Sequence, residues 1–173
     1  MNFYYANNDY FSFLHLVENK VALIEGEKES RPFLGLLICV GGKNYFAPLT
    51  SPKPKHKRMK DSEDFIRIDN GVLGAINLNN MLPIPKSCYY KIEINNIQNE
   101  KYARLLKLQK QWCDFNKYKI NSTAQKLYDD VKNGTINNEI LQRCCNYKLL
   151  EKKCFEYMKV MSINEEEVEY IIK

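Results

Sequence analysis

The residues best equipped for chemistry lie between positions 50 and 60. Thr50 and Ser51 come first, then Pro52, and then Lys53, Lys55, Lys57, Arg58 and Lys60, with no acidic residue among them and His56 in their midst. Hydroxyls beside cations suit a phosphate group, because the hydroxyls donate to its oxygens and the cations balance its charge. Clustered like charge without compensating acids is costly in bare solvent, which favours a polyanionic partner over a merely solvated loop. The nearby cations should lower the pKa of His56, and a neutral imidazole there could accept a proton or contact phosphate. A second set of cations, Lys101, Arg104, Lys107 and Lys110, recurs along 97–119. On a helix they would share one broad face, either a groove for a nucleic-acid backbone or simply a solvated side.

The same residue types are those needed to cleave RNA without a metal. The ribose 2′-OH attacks the neighbouring phosphorus and the 5′-oxygen leaves, which calls for a base, an acid and cations around the pentacoordinate phosphorane. Lysine, arginine, histidine, tyrosine and serine supply these roles between them. A serine at its ordinary pKa is a poor base, so Ser51 suits positioning better than proton acceptance. The sequence has no Asp/Glu/His cluster at metal-ligand spacing and no GxxxxGK[ST]. That disfavours a two-metal nuclease and an NTPase. His15, the other histidine, falls in a predicted helix and reads as structural or surface.

The elements around this loop must hold it in place. Length, with 45% apolar and 27% charged residues among 173, fits one soluble domain with a sizeable core. The net charge of +5 is too modest to name a partner by itself. Phe3-Tyr4-Tyr5 is a short β-prone start, and Asp9 to Lys20 a possible helix. Phe33 to Val40 is almost wholly apolar, as a strand buried on both faces would be. Gly41-Gly42 marks a turn into a returning strand, Lys43 to Leu49, whose Pro48 makes its end an edge or a departure point. The basic loop that follows reads as too polar to enter a core and is held off the body by its Pro-x-Pro segment. Phe65 to Ile68 alternates as a half-buried strand should, Asn70-Gly71 is a turn, and Gly74 to Leu78 is another strand closed by Pro83 and Pro85.

From about Ile97 the period becomes helical. Tyr102, Leu105, Leu106, Gln109, Trp112 and Phe115 mark one helix, and Ile120, Ala124, Leu127, Tyr128 and Val131 a second that stops at Asn133-Gly134. Leu149, Leu150, Cys154 and Phe155 suggest a third, and Ser162-x-x-Glu165 opens an acidic fourth. Tyr45, Phe46, Trp112 and Phe115 read as core, although an exposed member could stack a base. Strands (1–90) followed by helices (97–173) argue α+β, and the short twisted strands suggest a small barrel with helices outside. The six cysteines form no CxxC pair and read as reduced core thiols. No stretch approaches a membrane span and no signal-peptide pattern opens the chain, so it reads as cytoplasmic.

Collinear segments spread over residues 1 to about 158 resemble the ToxN/AbiQ/CptN endoribonucleases, the protein halves of bacterial type III toxin–antitoxin systems. Lys43-Asn44-Tyr45-Phe46-Ala47-Pro48-Leu49-Thr50-Ser51-Pro52-Lys53 is similar to the family's hallmark. Arg31-Pro32-Phe33-Leu34-Gly35 resembles its approach to the central strand. Leu73 to Leu78, Met81 to Ile84, and Asn146-Tyr147-Lys148-Leu149-Leu150-Glu151 resemble later segments, and Phe3-Tyr4 with Tyr10 an early one. The resemblance implies a twisted antiparallel β-barrel of the MazF/Kid, SH3-like kind, elaborated with helices. It implies a metal-independent endoribonuclease that leaves a 2′,3′-cyclic phosphate and a 5′-hydroxyl. It also implies a repeat RNA antitoxin, processed to a pseudoknot and closed with the toxin into a cyclic assembly. Cellular or phage RNA is the implied substrate, and no metal or membrane is involved. By position, Thr50, Ser51 and Lys53 match the family's active-site segment, Arg31 its basic residue and Tyr10 its N-terminal tyrosine. Lys55, His56, Lys57, Arg58, Lys60, Lys101 and Arg104 are the candidate RNA contacts. A non-catalytic RNA-binding module, or a MazF-like type II toxin with a protein antitoxin, are the rival readings.

Overall fold

The protein, described here as a computed structural model, is defined over residues 1–23 and 32–161. The acidic loop before Arg31 and the expected helix from Ser162 lie outside the described residues. Strands β1 (Phe3–Ala6), β2 (Phe33–Val40), β3 (Lys43–Thr50), β4 (Phe65–Arg67), β5 (Ala75–Asn77), β6 (Leu82–Pro83) and β7 (Tyr89–Lys91) come first, with helix α1 (Asn8–His15) between β1 and β2. Helices α2 (Glu100–Phe115), α3 (Lys117–Asn133), α4 (Asn138–Arg143) and α5 (Tyr147–Val160) follow. No described helix is long and apolar enough to cross a membrane.

This is a mixed α+β fold around an antiparallel sheet ordered β4-β5-β3-β2-β1-β7, with β6 also on β3. The expected closure into a small barrel is not seen. β4 and β7 end the order without pairing to each other among the described residues. At 3 residues each, β4, β5 and β7 offer too little ladder to close a ring.

The β2–β3 hairpin forms where Gly41 and Gly42 take φ of 54° and 74°, the mirror-image turn that suits strand twist. β2 is less buried than its sequence suggests: Leu36, Ile38 and Val40 face the core, while Cys39 between them is exposed. The other five cysteines are buried. Burial pushes Cys113 and Cys145 up to about 12, which leaves them inert as nucleophiles.

Asparagines cap four helices. Asn7, Asn99, Asn137 and Asn146 accept from the backbone N–H groups of Asp9, Tyr102, Glu139 and Leu149 at 2.8, 3.0, 2.7 and 3.1 Å. Gly134 ends α3 in the left-handed conformation. His15 bonds the Val21 carbonyl at 2.6 Å, a structural role. On α5, Glu151 accepts from the hydroxyls of Tyr45 and Tyr128 at 2.8 and 2.7 Å and faces Lys132 and Lys43 at 3.3 and 3.5 Å. Burial alone would raise its pKa, but these donors hold the carboxyl below the usual range. The Asn146–Glu151 segment thus ties α5 to α3 and β3.

A second polar tie joins α4 to the start of β4. Buried Asp64 accepts from Arg143 Nε and Nη2 at 2.9 and 3.0 Å and from Ser62 at 2.7 Å. Burial pushes the Asp64 carboxyl up, and the Arg143 and Ser62 bonds outweigh it, so the folded pKa is depressed. Arg143→Ala is therefore expected to cost about 2 kcal/mol at neutral pH, read from the urea midpoint. A depressed folded pKa gives stability that is complete above the ordinary aspartate value and lost as pH falls through the folded one. The gap between wild type and variant should narrow below about pH 4. A gap of the same size at acid and neutral pH would rule out the charge as its source.

Candidate active site at the end of strand β3

β3 changes partners as it ends. Lys43 to Pro48 pair with β2, and Leu49 and Thr50 pair instead with Ile76 and Ala75 of β5. The handover falls at Pro48, which has no N–H to continue the first ladder. Thr50 is half-buried, and its hydroxyl donates to the Ala75 carbonyl over a long 3.4 Å. Ser51, Pro52 and Lys53 then emerge exposed.

The floor under these residues is backbone. Gly74 has a φ of +101°, and a Cβ there would lie 2.1 Å from the Thr50 carbonyl oxygen and 3.3 Å from the Pro52 nitrogen. Only glycine permits that approach. Gly71, at φ +85°, does the same for the far side of the loop, where a Cβ would lie 2.4 Å from the His56 carbonyl oxygen. Between the two glycines, Gln109 of α2 is 1% exposed and donates Nε2 to the Leu73 carbonyl at 2.6 Å. The segment from Gly71 to Gly74 is therefore a platform, braced from behind by α2, on which the basic loop lies.

The loop does not stand off the body, as its composition suggests. Pro54–Lys57 form a 3-10 turn, closed by the His56 N–H on the Lys53 carbonyl at 2.9 Å. The His56 ring turns inward, 2% exposed and edge-on to Phe65 with centroids 5.8 Å apart. Burial first, and then the Lys53 and Lys55 cations, lower its pKa, so it enters as an uncharged ring. His56 thus anchors the loop and does not face outward with Ser51 and Lys53. All its neighbours in the run, Lys55, Lys57, Arg58 and Lys60, remain exposed.

These cations also differ in their partners from several others on the surface. Lys110 is bound to Asp114 at 2.6 Å, Lys119 and Arg67 to Asp61 at 3.0 and 3.1 Å, and Lys126 to Glu63 and Asp130. Lys53, Lys55, Lys57, Arg58 and Lys60 make no ion pair with any described residue. Among the described residues nothing offsets their charge. Lys101 and Arg104 are likewise exposed and unpaired among the described residues. They stand about 12 and about 8 Å from Gln109 along the α2 axis, further from the loop.

Two candidates fall outside this cluster. Tyr10 is 0% exposed on the core face of α1, and its hydroxyl donates to the Pro83 carbonyl at 2.7 Å. Burial raises its pKa, and with no exposed surface the ring lies away from any phosphate bound at the exposed loop. Arg31 lies outside the described residues. Conversely, Gly71, Gly74 and Gln109 position the site without having been singled out for it. The glycines read only as turn punctuation, and the clue in Gln109 was an amide on an otherwise apolar helix face, where a buried polar group must find a partner.

A match to the family described as toxin ToxN of type III toxin–antitoxin systems covers residues 2–155. A relative from Pectobacterium atrosepticum, named endoribonuclease ToxN, is 34% identical over 96% of this chain and 99% of its own. Another of that name, from Bacillus thuringiensis subsp. kurstaki, is 29% identical over 90% of this chain and 83% of its own. Among solved structures, one of a bacterial antiviral system regulated by a processed non-coding RNA superposes with a TM-score of 0.75 at 31% identity, covering 89% of this chain and 97% of that one. A second, of a type III toxin inhibited by a non-coding RNA pseudoknot, has a TM-score of 0.75 at 25% identity, covering 91% and 98%. The lactococcal anti-phage endoribonuclease AbiQ shares the fold, with a TM-score of 0.77 at 24% identity over 91% of this chain and 98% of that one.

Proposed function

This chain belongs to the ToxN family of type III toxin–antitoxin toxins and is an endoribonuclease; from that premise we propose that it cleaves RNA without a metal at the end of β3. The ribose 2′-oxygen bonds to phosphorus as its proton passes to a base. The P–O5′ bond breaks as the leaving oxygen takes up a proton. The products are a 2′,3′-cyclic phosphate and a 5′-hydroxyl. Lys53 balances the charge that grows on the non-bridging oxygens, and Arg31 adds a second cation there. Ser51 donates to a phosphate oxygen or orients the 2′-OH. The Thr50 hydroxyl assists it, since its 3.4 Å bond to Ala75 is weak enough to be exchanged.

The observation that carries this reading is the exposed cationic loop, unpaired among the described residues and fixed beside Ser51 by glycines that leave no room for a side chain. The same surface suits the antitoxin. A repeat RNA folded as a pseudoknot occupies the basic loop, holds the toxin in a cyclic toxin–RNA assembly and excludes cellular or phage RNA from Ser51. The whole chain acts as one unit in the cytoplasm.

The test is cleavage of RNA by purified, RNA-stripped protein in excess EDTA, with Ser51→Ala alongside and product ends mapped. Cyclic-phosphate ends from wild type, and at least about a hundredfold less product from Ser51→Ala, are expected. Activity that disappears with EDTA, or ends bearing a 5′-phosphate, would overturn the metal-free mechanism.

A further inference from the structure

At the junction of α2 and α3 the chain exposes two aromatic rings, and for one of them, Phe115, the helical period calls for core. Phe115, the last residue of α2, is 91% exposed, and Tyr118, in the first turn of α3, is 87% exposed. The knee between them is rigid. Asn116 donates both its backbone N–H and its Nδ2 to the Trp112 carbonyl, at 3.0 and 2.9 Å. Neither ring packs against another ring among the described residues. Rings of this size left in water lose the burial that most aromatic side chains gain, so the pair calls for a partner.

The surroundings narrow what that partner is. Lys119, next to Tyr118, bonds Asp61 at 3.0 Å, and Asp61 directly follows Lys60 at the end of the basic loop. The aromatic knee and the cationic loop are thus joined edge to edge. Acids near the knee are already neutralised: Asp114 by the Met1 amino group and Lys110, Asp61 by Lys119 and Arg67. Lys117 is exposed and makes no ion pair with a described residue. A surface of free ring faces, with an excess of cations leading to a phosphate-binding loop, matches single-stranded RNA, whose bases stack while its backbone follows the charge.

We propose that Phe115 and Tyr118 form a base-stacking station for the single-stranded RNA whose backbone is held by the basic loop. This rests on the loop being the RNA-cleaving site. A strand threaded past Ser51 runs along Lys57, Arg58 and Lys60 and sets unpaired bases on the two rings. The station selects for strands with splayed bases and is indifferent to their sequence, because every base has a π-face.

The experiment titrates a 2′-O-methyl oligoadenylate, which lacks the nucleophile and stays whole, against wild type, Phe115→Ala, Tyr118→Ala and the double variant over a range of salt concentrations. Each alanine should weaken binding about tenfold, and the slope of log affinity against log salt should not change, because no phosphate contact is lost. Tyr118→Phe and Phe115→Trp should bind as wild type does. Lys57→Ala provides the contrast, with the slope reduced by about one. The rings are almost wholly exposed, so the melting temperature should not move. Wild-type affinity in the double variant would overturn the station, as would a loss of self-association in place of a loss of RNA binding. The two readings fail separately. Wild type that cleaves no RNA sinks the cleaving site, whereas wild type that cleaves while the double variant binds and cleaves equally well sinks the station alone.

Discussion

Gly74→Ala should abolish RNA cleavage while most of the fold survives. At φ +101° an alanine is strained by about 1–3 kcal/mol before any contact is counted. Its methyl would then lie 2.1 Å from the Thr50 carbonyl oxygen, so that backbone has to move. The residues displaced are Thr50 to Pro52, which carry the proposed chemistry. A shift of about 1 Å in a catalytic group typically costs about a hundredfold in rate. The expected result is a loss of about a hundredfold or more in kcat, with a lowered but cooperative melting transition. Gly42→Ala is the matched control. It also has a positive φ, 74°, but nothing lies within 4 Å of its added methyl. It should incur backbone strain of similar size and keep its activity. Full activity in Gly74→Ala would mean that the strand end is not the site.

Lys53→Ala carries the second large effect. A cation that acts on charge developing in the transition state is worth about a hundred- to a thousandfold in kcat, by analogy with other preorganised oxyanion donors. Lys55→Ala and Lys57→Ala remove charges further along the exposed loop. They should leave kcat nearly intact, raise KM, and each reduce the salt slope of binding by about one. Single-turnover kinetics on the three variants separates the roles. If Lys53→Ala raised KM only, Lys53 would be one more backbone contact, and the charge at the phosphorane would have to come from elsewhere, Arg31 being the next candidate.

Much of this was legible from residue patterns, and what was not has physical causes. The β2–β3 hairpin is written locally in Gly41-Gly42 between apolar runs, and the faces of α2, α3 and α5 in their period. β7 was not legible, because 3 residues give no alternation and its partner, β1, lies at the other end of the strand region. α4, with 6 residues, is too short for a period and is recognisable only by its Asn137 cap. Phe115 continues the apolar stripe of α2 in sequence, but after the break at Asn116 no element among the described residues covers it. The basic run is legible in composition as a cluster of cations. Its posture was misread, since composition predicts where charge goes but not that one uncharged histidine will pull the loop onto its platform. The commitment of the Tyr10 hydroxyl to Pro83 is likewise a contact across 73 positions, which no local pattern encodes.

The order in which the pieces of the platform are made has its own consequence. Ser51 and Lys53 belong to the first third of the chain. The platform that holds them comes from Gly71 to Gly74, its brace from Gln109, the tie to β4 from Arg143, and the counterweight at the other end of β3 from Glu151. A ribosome delivers these in that sequence, and each later piece supports an earlier one. An unfinished chain that already carries Thr50, Ser51 and Lys53 has them on a loop with nothing beneath it, with the Tyr45 hydroxyl at the far end of the strand still waiting for its carboxylate. If the end of β3 is the cutting site, a ribosome-bound chain should stay harmless to the message that encodes it until α5 docks.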